Sequence, residues 1–103
     1  MNEKVKEILD NWALELGYDI DEESDYIELL EEGEQVKHKK CGSHRWYDDV
    51  EIISKFGNRY IKWYSYYTTG DISFSDMDLY INLNLAREVF PYEVTITKIK
   101  YKE

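Results

Sequence analysis

The fold is decided by residues 44–68, which read HRWYDDVEIISKFGNRYIKWYSYYT. On each side of Gly57-Asn58, a dipeptide typical of tight hairpin turns, the side chains alternate with a period of two. This pattern predicts two antiparallel strands joined by a short turn. One face is expected to carry Trp46, Val50, Ile52, Phe56, Ile61, Trp63 and Tyr67. The other face is expected to carry Tyr47, Glu51, Ile53, Lys55, Tyr60, Lys62, Tyr64 and Tyr66.

Two segments downstream of the hairpin also have strand patterns. Residues 79–85 (LYINLNL) alternate strictly, with four apolar side chains on one side. Residues 92–101 (YEVTITKIKY) are rich in β-branched side chains, and Pro91 interrupts the chain before them. Lysines spaced along this last segment are typical of an edge strand that is protected against further pairing. The sequence therefore predicts about four strands.

The chain upstream of the hairpin begins with a predicted helix over residues 3–16. Its apolar residues recur at helical spacing. Asn2 suits the N-cap, and Gly17 suits a left-handed cap after the last turn. The apolar stripe comprises Val5, Ile8, Leu9, Trp12, Ala13 and Leu16.

A second, shorter helix is predicted over residues 22–32. Its apolar side is formed by Tyr26, Ile27, Leu29 and Leu30. Ser24 or Asp21 is expected to cap its start, and Gly33 is expected to end it.

These elements predict an α+β domain, in which two N-terminal helices pack on one face of a roughly four-stranded antiparallel sheet. A chain of 103 residues has the length of one domain. We expect an acidic helical part (1–34), a basic connection (35–43, within Gly33 to Gly42) and an aromatic-rich sheet (44–103). The chain has one cysteine, no membrane-length apolar run and no signal-peptide pattern at its start. These features predict a cytoplasmic protein without a membrane partner.

The charge is concentrated in the first third of the chain. The formal net charge is −9, but residues 1–34 hold 13 acidic and 2 basic side chains, while the rest holds 9 and 11. Acidic helix faces commonly confer solubility. A dense array of carboxylates also attracts a basic surface and would repel nucleic acid. The candidate partner-binding carboxylates are Glu22, Glu23, Glu28, Glu31 and Glu32.

The aromatic residues are concentrated in the predicted sheet. Tyr60, Tyr64 and Tyr66 share a face with Lys62, and that face is expected to be exposed. Exposed tyrosines are favoured anchors of protein interfaces. They also stack on the bases of single strands when lysine or arginine lies beside them. The ordinary preference of tyrosine for strands explains the same pattern without a partner.

A zinc site has little support. His38, Cys41 and His44 follow the spacing H-x2-C-x2-H, and Asp48 or Asp49 would supply a fourth ligand. A structural zinc site usually needs two such pairs of ligands, whereas this segment has only part of one set. A basic loop with solvated imidazoles is the better interpretation, so no metal or other cofactor is expected.

A catalytic carboxylate site is the runner-up among the functions. Residues 71–78 (DISFSDMD) place oxygen ligands at alternating positions, but Asp76 stands where a calcium-binding EF-hand requires glycine. Asp48, Asp71 and Asp76, together with His44, could still serve a metal-dependent enzyme or a nucleotide-binding protein. No common enzyme motif is present, and no catalytic residue is assigned.

Three motifs follow one another after residue 44: an Arg-Trp-Tyr-Asp strand, a hairpin ending in Tyr-Ile, and a Thr-Gly-Asp loop with a later Asp. Their residues are Arg45, Trp46, Tyr47 and Asp48; Gly57, Tyr60 and Ile61; and Thr69, Gly70, Asp71 and Asp76. This order, continued by VTITKIKY (94–101), resembles a small family of uncharacterised phage and prophage proteins. The resemblance covers about the last 60 residues and carries no catalytic role. It implies an accessory protein of a mobile element and favours inhibitors of host defence nucleases, including anti-CRISPR proteins.

The leading hypothesis is a small non-enzymatic protein that occludes a basic surface on a host protein, such as a CRISPR or other defence nuclease. The acidic helices would meet this surface, and Tyr60, Tyr64 and Tyr66 would anchor the contact. A single-strand binder that uses the tyrosines is the second alternative, although direct binding of nucleic acid is not expected. The oligomeric state stays open between a monomer and a homodimer.

Overall fold

The computed structural model describes residues 1–68 and 79–91. Two helices precede an antiparallel sheet, so the α+β class predicted from the sequence is confirmed. The elements are α1 (Glu3–Leu16), α2 (Glu23–Glu32), β1 (Glu34–Ser43), β2 (Tyr47–Phe56), β3 (Arg59–Thr68), a 3-10 turn (Leu83–Leu85) and β4 (Arg87–Val89).

The sheet runs in the order β1-β2-β3-β4, and each neighbouring pair is antiparallel. The predicted hairpin is confirmed as its centre. Strands β2 and β3 pair without a register shift from Tyr47↔Thr68 to Phe56↔Arg59. Gly57 adopts a φ of 65° in the turn, a left-handed conformation that glycine accommodates without strain. The hairpin thereby fixes which side chains share each face of the sheet.

The connection predicted over residues 35–43 is wrong, because this segment belongs to strand β1. It pairs with β2 along its length and forms one side of the sheet. All but one of its ten residues are exposed, so neither of its faces is buried in the core. A strand without a buried face has no need for alternating apolar side chains, and its sequence therefore looks like a loop.

The strand predicted over residues 79–85 is also wrong. Residues 79–82 have no regular structure, and a 3-10 turn follows. Asn82 Oδ1 accepts a hydrogen bond of 3.0 Å from the N–H of Asn84 and so caps the turn. Leu83 is buried while Leu85 is 52% exposed, so the alternating leucines do not share a face. The fourth strand is instead β4, and the strand predicted at 92–101 lies outside the described residues.

Helix α1 agrees with its sequence prediction at both ends. Asn2 Oδ1 accepts hydrogen bonds from the N–H groups of Lys4 and Val5, at 2.9 and 3.4 Å. Gly17 ends the helix with a φ of 67°. The expected stripe is wrong only at its last member, Leu16, which is 52% exposed in the final turn.

Helix α2 also forms, but Glu22 rather than Asp21 or Ser24 is its N-cap residue. The carboxylate of Asp25 accepts hydrogen bonds of 2.9 Å from the N–H groups of Asp21 and Glu22. These backbone hydrogen bonds hold the pKa of Asp25 below its ordinary value. As predicted, Gly33 ends the helix.

Both helices contribute to one core against the predicted apolar face of β2 and β3. The sheet contributes Val50, Ile52, Phe56, Ile61 and Trp63. The helices contribute Val5, Ile8, Leu9, Ala13, Leu29 and Leu30, and the turn region adds Leu83 and Ala86. Ser54 is fully buried in this core, where it accepts a hydrogen bond of 2.9 Å from Nε1 of Trp63. The opposite face of the sheet therefore points away from the helices.

Gly33 packs so closely on the ring of Phe56 that a compensating pair of substitutions is expected. A Cβ at Gly33 would stand 2.6 Å from Cε1 and Cζ of Phe56, which is inside van der Waals contact. Because that ring is buried, we expect Gly33→Ala to lower the free energy of unfolding by about 1 to 3 kcal/mol. The same substitution should cost less when Phe56→Leu has removed the ring. Urea denaturation of the four proteins measures both costs, and equal costs in the two backgrounds would contradict the steric explanation.

Candidate functional site

The carboxylates of residues 1–34 lie mostly exposed on the helical layer, and we call them the acidic surface. All five predicted partner-binding residues are exposed: Glu22, Glu23, Glu28, Glu31 and Glu32. The last three lie at i, i+3, i+4 spacing on α2, on a side away from the buried Leu29 and Leu30. The carboxylates selected from the sequence are therefore accessible to a partner.

Few carboxylates of the acidic surface are neutralised. Lys6 Nζ lies 2.7 Å from Asp10, and Arg59 Nη1 lies 3.1 Å from Glu7. Across residues 1–68 and 79–91, no ion pair involves any of the five predicted glutamates. Uncompensated exposed carboxylates create a field that attracts cations and that salt screens.

Two hydrogen-bonded tyrosines fix part of the acidic surface. Tyr18 donates to Glu28 at 2.7 Å and also contacts Asp25 at 3.1 Å, which ties the segment after α1 to α2. These carboxylates raise the pKa of the Tyr18 phenol. Tyr26 donates to Asp10 at 2.8 Å. Partial burial opposes ionisation of Asp10, but the hydrogen bonds that it accepts outweigh this effect and lower its pKa.

The sheet has the opposite sign of charge. Residues 35–68, which include nearly all of β1 to β3, contain seven basic and three acidic side chains. The −9 of the whole chain therefore combines a strongly negative helical layer with net-positive central strands.

The tyrosines predicted to anchor a partner alternate along β3 on the face away from the helices: Tyr60, Tyr64 and Tyr66. We call this side of the sheet the tyrosine face. Each of the three is half-buried rather than fully exposed. Between them, Lys62 Nζ lies 3.8 Å from Glu51. The ring of Tyr66 packs edge-on against Tyr47 at 5.5 Å between centroids, and burial raises the pKa of the Tyr66 phenol.

The acidic surface and the tyrosine face lie on opposite sides of the sheet. The helices pack on the side of Ile61 and Trp63, while the tyrosines alternate with these residues along the same strand. A flat partner surface that covers one side of the sheet would therefore contact only one of them. The predicted mechanism, in which the tyrosines anchor the contact made by the acidic helices, stays a prediction that requires a partner able to reach both sides of the sheet.

The predicted zinc ligands do not converge. His38 contacts the Tyr67 hydroxyl at 2.7 Å through Nδ1, whereas His44 Nε2 lies 2.9 Å from Asp49. Cys41 is exposed. In the part of the chain that the structure describes, no group of three His, Cys, Asp or Glu side chains is arranged to hold a metal ion.

The candidate catalytic carboxylates are only partly placed. Asp48 accepts a hydrogen bond of 3.0 Å from Ser43 Oγ and lies 3.6 Å from Lys40 Nζ, so its neighbours are polar groups of β1. Asp71 and Asp76 lie outside the described residues. His44 is paired with Asp49 instead of Asp48. The adjacent Asp48 and Asp49 alternate along β2 and so point to opposite faces of the sheet.

A groove at the end of α1 was not anticipated from the sequence, and we call it the end groove. It has a volume of about 300 Å³ and is lined by Asp10, Ala13, Leu14, Tyr18, Asp19 and Ile20. Leu14 is 79% exposed, which makes it the most exposed large apolar side chain of the described residues. The sequence signal that could have revealed the groove is the position of Leu14, an apolar residue that lies outside the apolar stripe of α1.

Over residues 1–68 and 79–91, no helix has both the length and the apolar character needed to cross a bilayer. Comparison of the chain with protein-family models, with curated proteins and with solved structures gave no match.

Proposed function

We propose that this protein is a non-enzymatic inhibitor that occludes a basic surface on a host defence or nucleic-acid-handling protein, in the manner of an anti-CRISPR protein. The observation that carries the proposal is the acidic surface. Its five central glutamates are exposed and form no ion pair within the described residues. The resemblance of residues 44–78 to phage proteins supports the choice of a defence protein as the partner.

Occlusion requires no chemistry from the inhibitor. Proteins that handle nucleic acid bind phosphates through lysine and arginine, and this contact dominates their affinity. An array of fixed carboxylates competes for the same cations and is guided to them by long-range attraction. Helix α2 presents its glutamates from a regular element whose opposite side is buried in the core, so little ordering is needed on binding.

The proposal predicts that binding depends on the charge of α2. We expect the combined variant E22Q/E23Q/E28Q/E31Q/E32Q to bind its partner about 100-fold more weakly at low ionic strength, because five charges are lost without loss of side-chain size. The measurement is competition with target DNA for a panel of CRISPR effector–guide complexes and other defence nucleases. Binding of the wild type should also weaken steeply as salt is raised.

The matched control is D48N/E51Q, which removes two carboxylates from strand β2, outside the acidic surface, and should leave the affinity within about twofold of the wild type. Circular dichroism verifies that both variants are folded. Binding that survives the five substitutions and is insensitive to salt would rule out occlusion by charge.

A single-strand binder that uses the tyrosine face is the second candidate. The observation that favours it is the separation of this face from the acidic surface, which removes the main electrostatic objection. Trp63 cannot report such binding by stacking, because it is 2% exposed and lies in the core. Trp46 is 48% exposed and is the better reporter in an oligonucleotide titration.

A further inference from the structure

We propose that the end groove receives an apolar side chain from a basic amphipathic segment of the partner protein. This inference rests on the proposed function and names the chemistry of the partner. It adds to the acidic surface one specific apolar contact, and so predicts that charge alone does not account for recognition.

The end groove combines an apolar interior with an acidic rim. Ala13 is 3% exposed and closes the groove on the side of the core, while Leu14 stands at its edge, largely in solvent. Two carboxylates, those of Asp10 and Asp19, belong to the lining. Of these, Asp19 makes no ion pair within the described residues. The groove therefore suits an apolar side chain with a cationic group beside Asp19.

The walls of the groove are held in place before any partner binds. After α1, the N–H of Tyr18 donates to the carbonyl of Ala13 at 2.8 Å, and the N–H of Gly17 donates to that of Leu14 at 3.3 Å. This pair of bonds is the Schellman arrangement, which brings the residue after the glycine back against the last turn. The Tyr18 hydroxyl is fixed in turn by Glu28 of α2. A preformed groove binds with a smaller loss of conformational entropy.

The same features favour a basic protein segment over a phosphate-bearing ligand or a purely apolar one. Phosphate groups of nucleic acid or lipid would be repelled by the rim and would gain nothing from Leu14. Asp10 already has Lys6 as its counter-ion, but an uncharged apolar segment would leave Asp19 without one. A segment with one apolar side chain between lysines or arginines satisfies both the apolar interior and the acidic rim, and an anchor that fills a pocket is a common form of interface hot spot.

Two synthetic helical peptides of 16 residues provide the test. One carries a single leucine among lysines and alanines, and the other is identical except that serine replaces this leucine. Fluorescence anisotropy measures their affinities for the full-length protein at low and at physiological salt. We expect the leucine peptide to bind about tenfold more tightly, as expected for burial of one further apolar side chain.

Leu14→Ala should abolish this preference while the serine peptide binds as before. The substitution is safe for the fold, because Leu14 is exposed and alanine favours helix. The matched control is Leu16→Ala, which shortens an exposed leucine of the same helix outside the groove and should keep the tenfold preference.

The outcomes separate this inference from the proposed function. Equal affinity for the two peptides, or a preference that persists in Leu14→Ala, would overturn the groove as a docking site and leave electrostatic occlusion standing. Failure of both peptides to bind at low salt would overturn the proposed function together with the inference.

Discussion

Trp63→Ala is expected to lower the free energy of unfolding by about 3 to 5 kcal/mol, the largest effect that we expect from a single substitution among the described residues. Trp63 is 2% exposed and lies on β3 opposite Ile52, in the part of the sheet that the helices cover. Its removal leaves a cavity that a paired strand cannot close. Because small domains are stable by only about 5 to 15 kcal/mol, guanidinium denaturation should show a large shift of the midpoint. A loss below about 1 kcal/mol would contradict the assignment of this side chain to the core.

The hydrogen bond from Trp63 to Ser54 contributes to the free energy of unfolding separately from packing. Substitution of either partner measures this contribution. Ser54→Ala leaves the indole N–H without its acceptor in the core, which costs about 1 to 3 kcal/mol. In the Trp63→Phe background no donor is left behind, so the same change should cost less. This double-mutant cycle separates the hydrogen bond from the loss of packing. Additive costs would show that the bond contributes nothing beyond volume.

Arg59→Met is expected to lower the free energy of unfolding by about 2 to 4 kcal/mol. Arg59 donates to Glu88 of β4 through Nε and Nη2, at 2.8 and 3.0 Å, and to Glu7 of α1 through Nη1. The side chain of Glu88 is only 9% exposed, so its charge would lose a counter-ion in a mostly buried place. The partial exposure of Arg59 puts the cost below that of a fully buried pair.

The stability contributed by the Arg59–Glu88 ion pair should decrease as the pH is lowered. The hydrogen bonds from Arg59 hold the pKa of Glu88 below its ordinary 4.5. A carboxyl whose pKa is lowered on folding stabilises the protein fully above its unfolded pKa, and this stability is lost as the pH falls through the folded value. The difference between wild type and Arg59→Met should therefore be largest at neutral pH and should shrink below about pH 4.5.

Glu88→Gln is the control for this pH dependence. It keeps an oxygen that can accept one hydrogen bond from Arg59 but does not titrate. The stability difference between wild type and Glu88→Gln should shrink over the same acidic range. A difference between wild type and either variant that stays constant from pH 7 to pH 3 would contradict the role assigned to this ion pair.

Much of the fold could be predicted because burial imposes a period on the sequence. The hairpin shows it most clearly, since Val50, Ile52, Ile61 and Trp63 occupy alternate positions and all are buried on one face. Caps were predictable where one residue suffices, as at Asn2 and Gly17. At α2 the N-cap residue is Glu22, and Asp25 of the first turn accepts the hydrogen bonds of the preceding amides, so the prediction of Asp21 or Ser24 as the cap was wrong.

The predictions for residues 35–43 and 79–85 were wrong for a different reason. Strand β1 is exposed on both faces, so its position follows from backbone pairing with β2, which leaves no hydrophobic pattern. The leucines of residues 79–85 do alternate, but Leu83 is held by the core and Leu85 is not. Whether an alternating segment becomes a strand depends on a neighbour to pair with, and a local sequence does not contain that neighbour.

The candidate site was predictable as a set of residues but less so as a surface. Carboxylates on an amphipathic helix are exposed wherever the helix packs, so Glu28 and Glu31 were placed correctly. Joining them to the tyrosines in one contact required knowledge of the side of the sheet on which the helices lie. The end groove depends on the path of the chain after Gly17 and on the hydrogen bonds of Tyr18, which no spacing rule describes.

The separation of an acidic helical layer from basic strands makes the molecule an electric dipole. A dipole turns in the field of a cationic partner before the two surfaces touch, so a larger fraction of encounters is productive. Such steering raises association rate constants and is lost as salt is added. Lysines such as Lys37 and Lys39, which would never touch the partner, would then still help to set the speed of capture. Under the proposed function, this steering would help the protein to reach its target before a competing nucleic acid does.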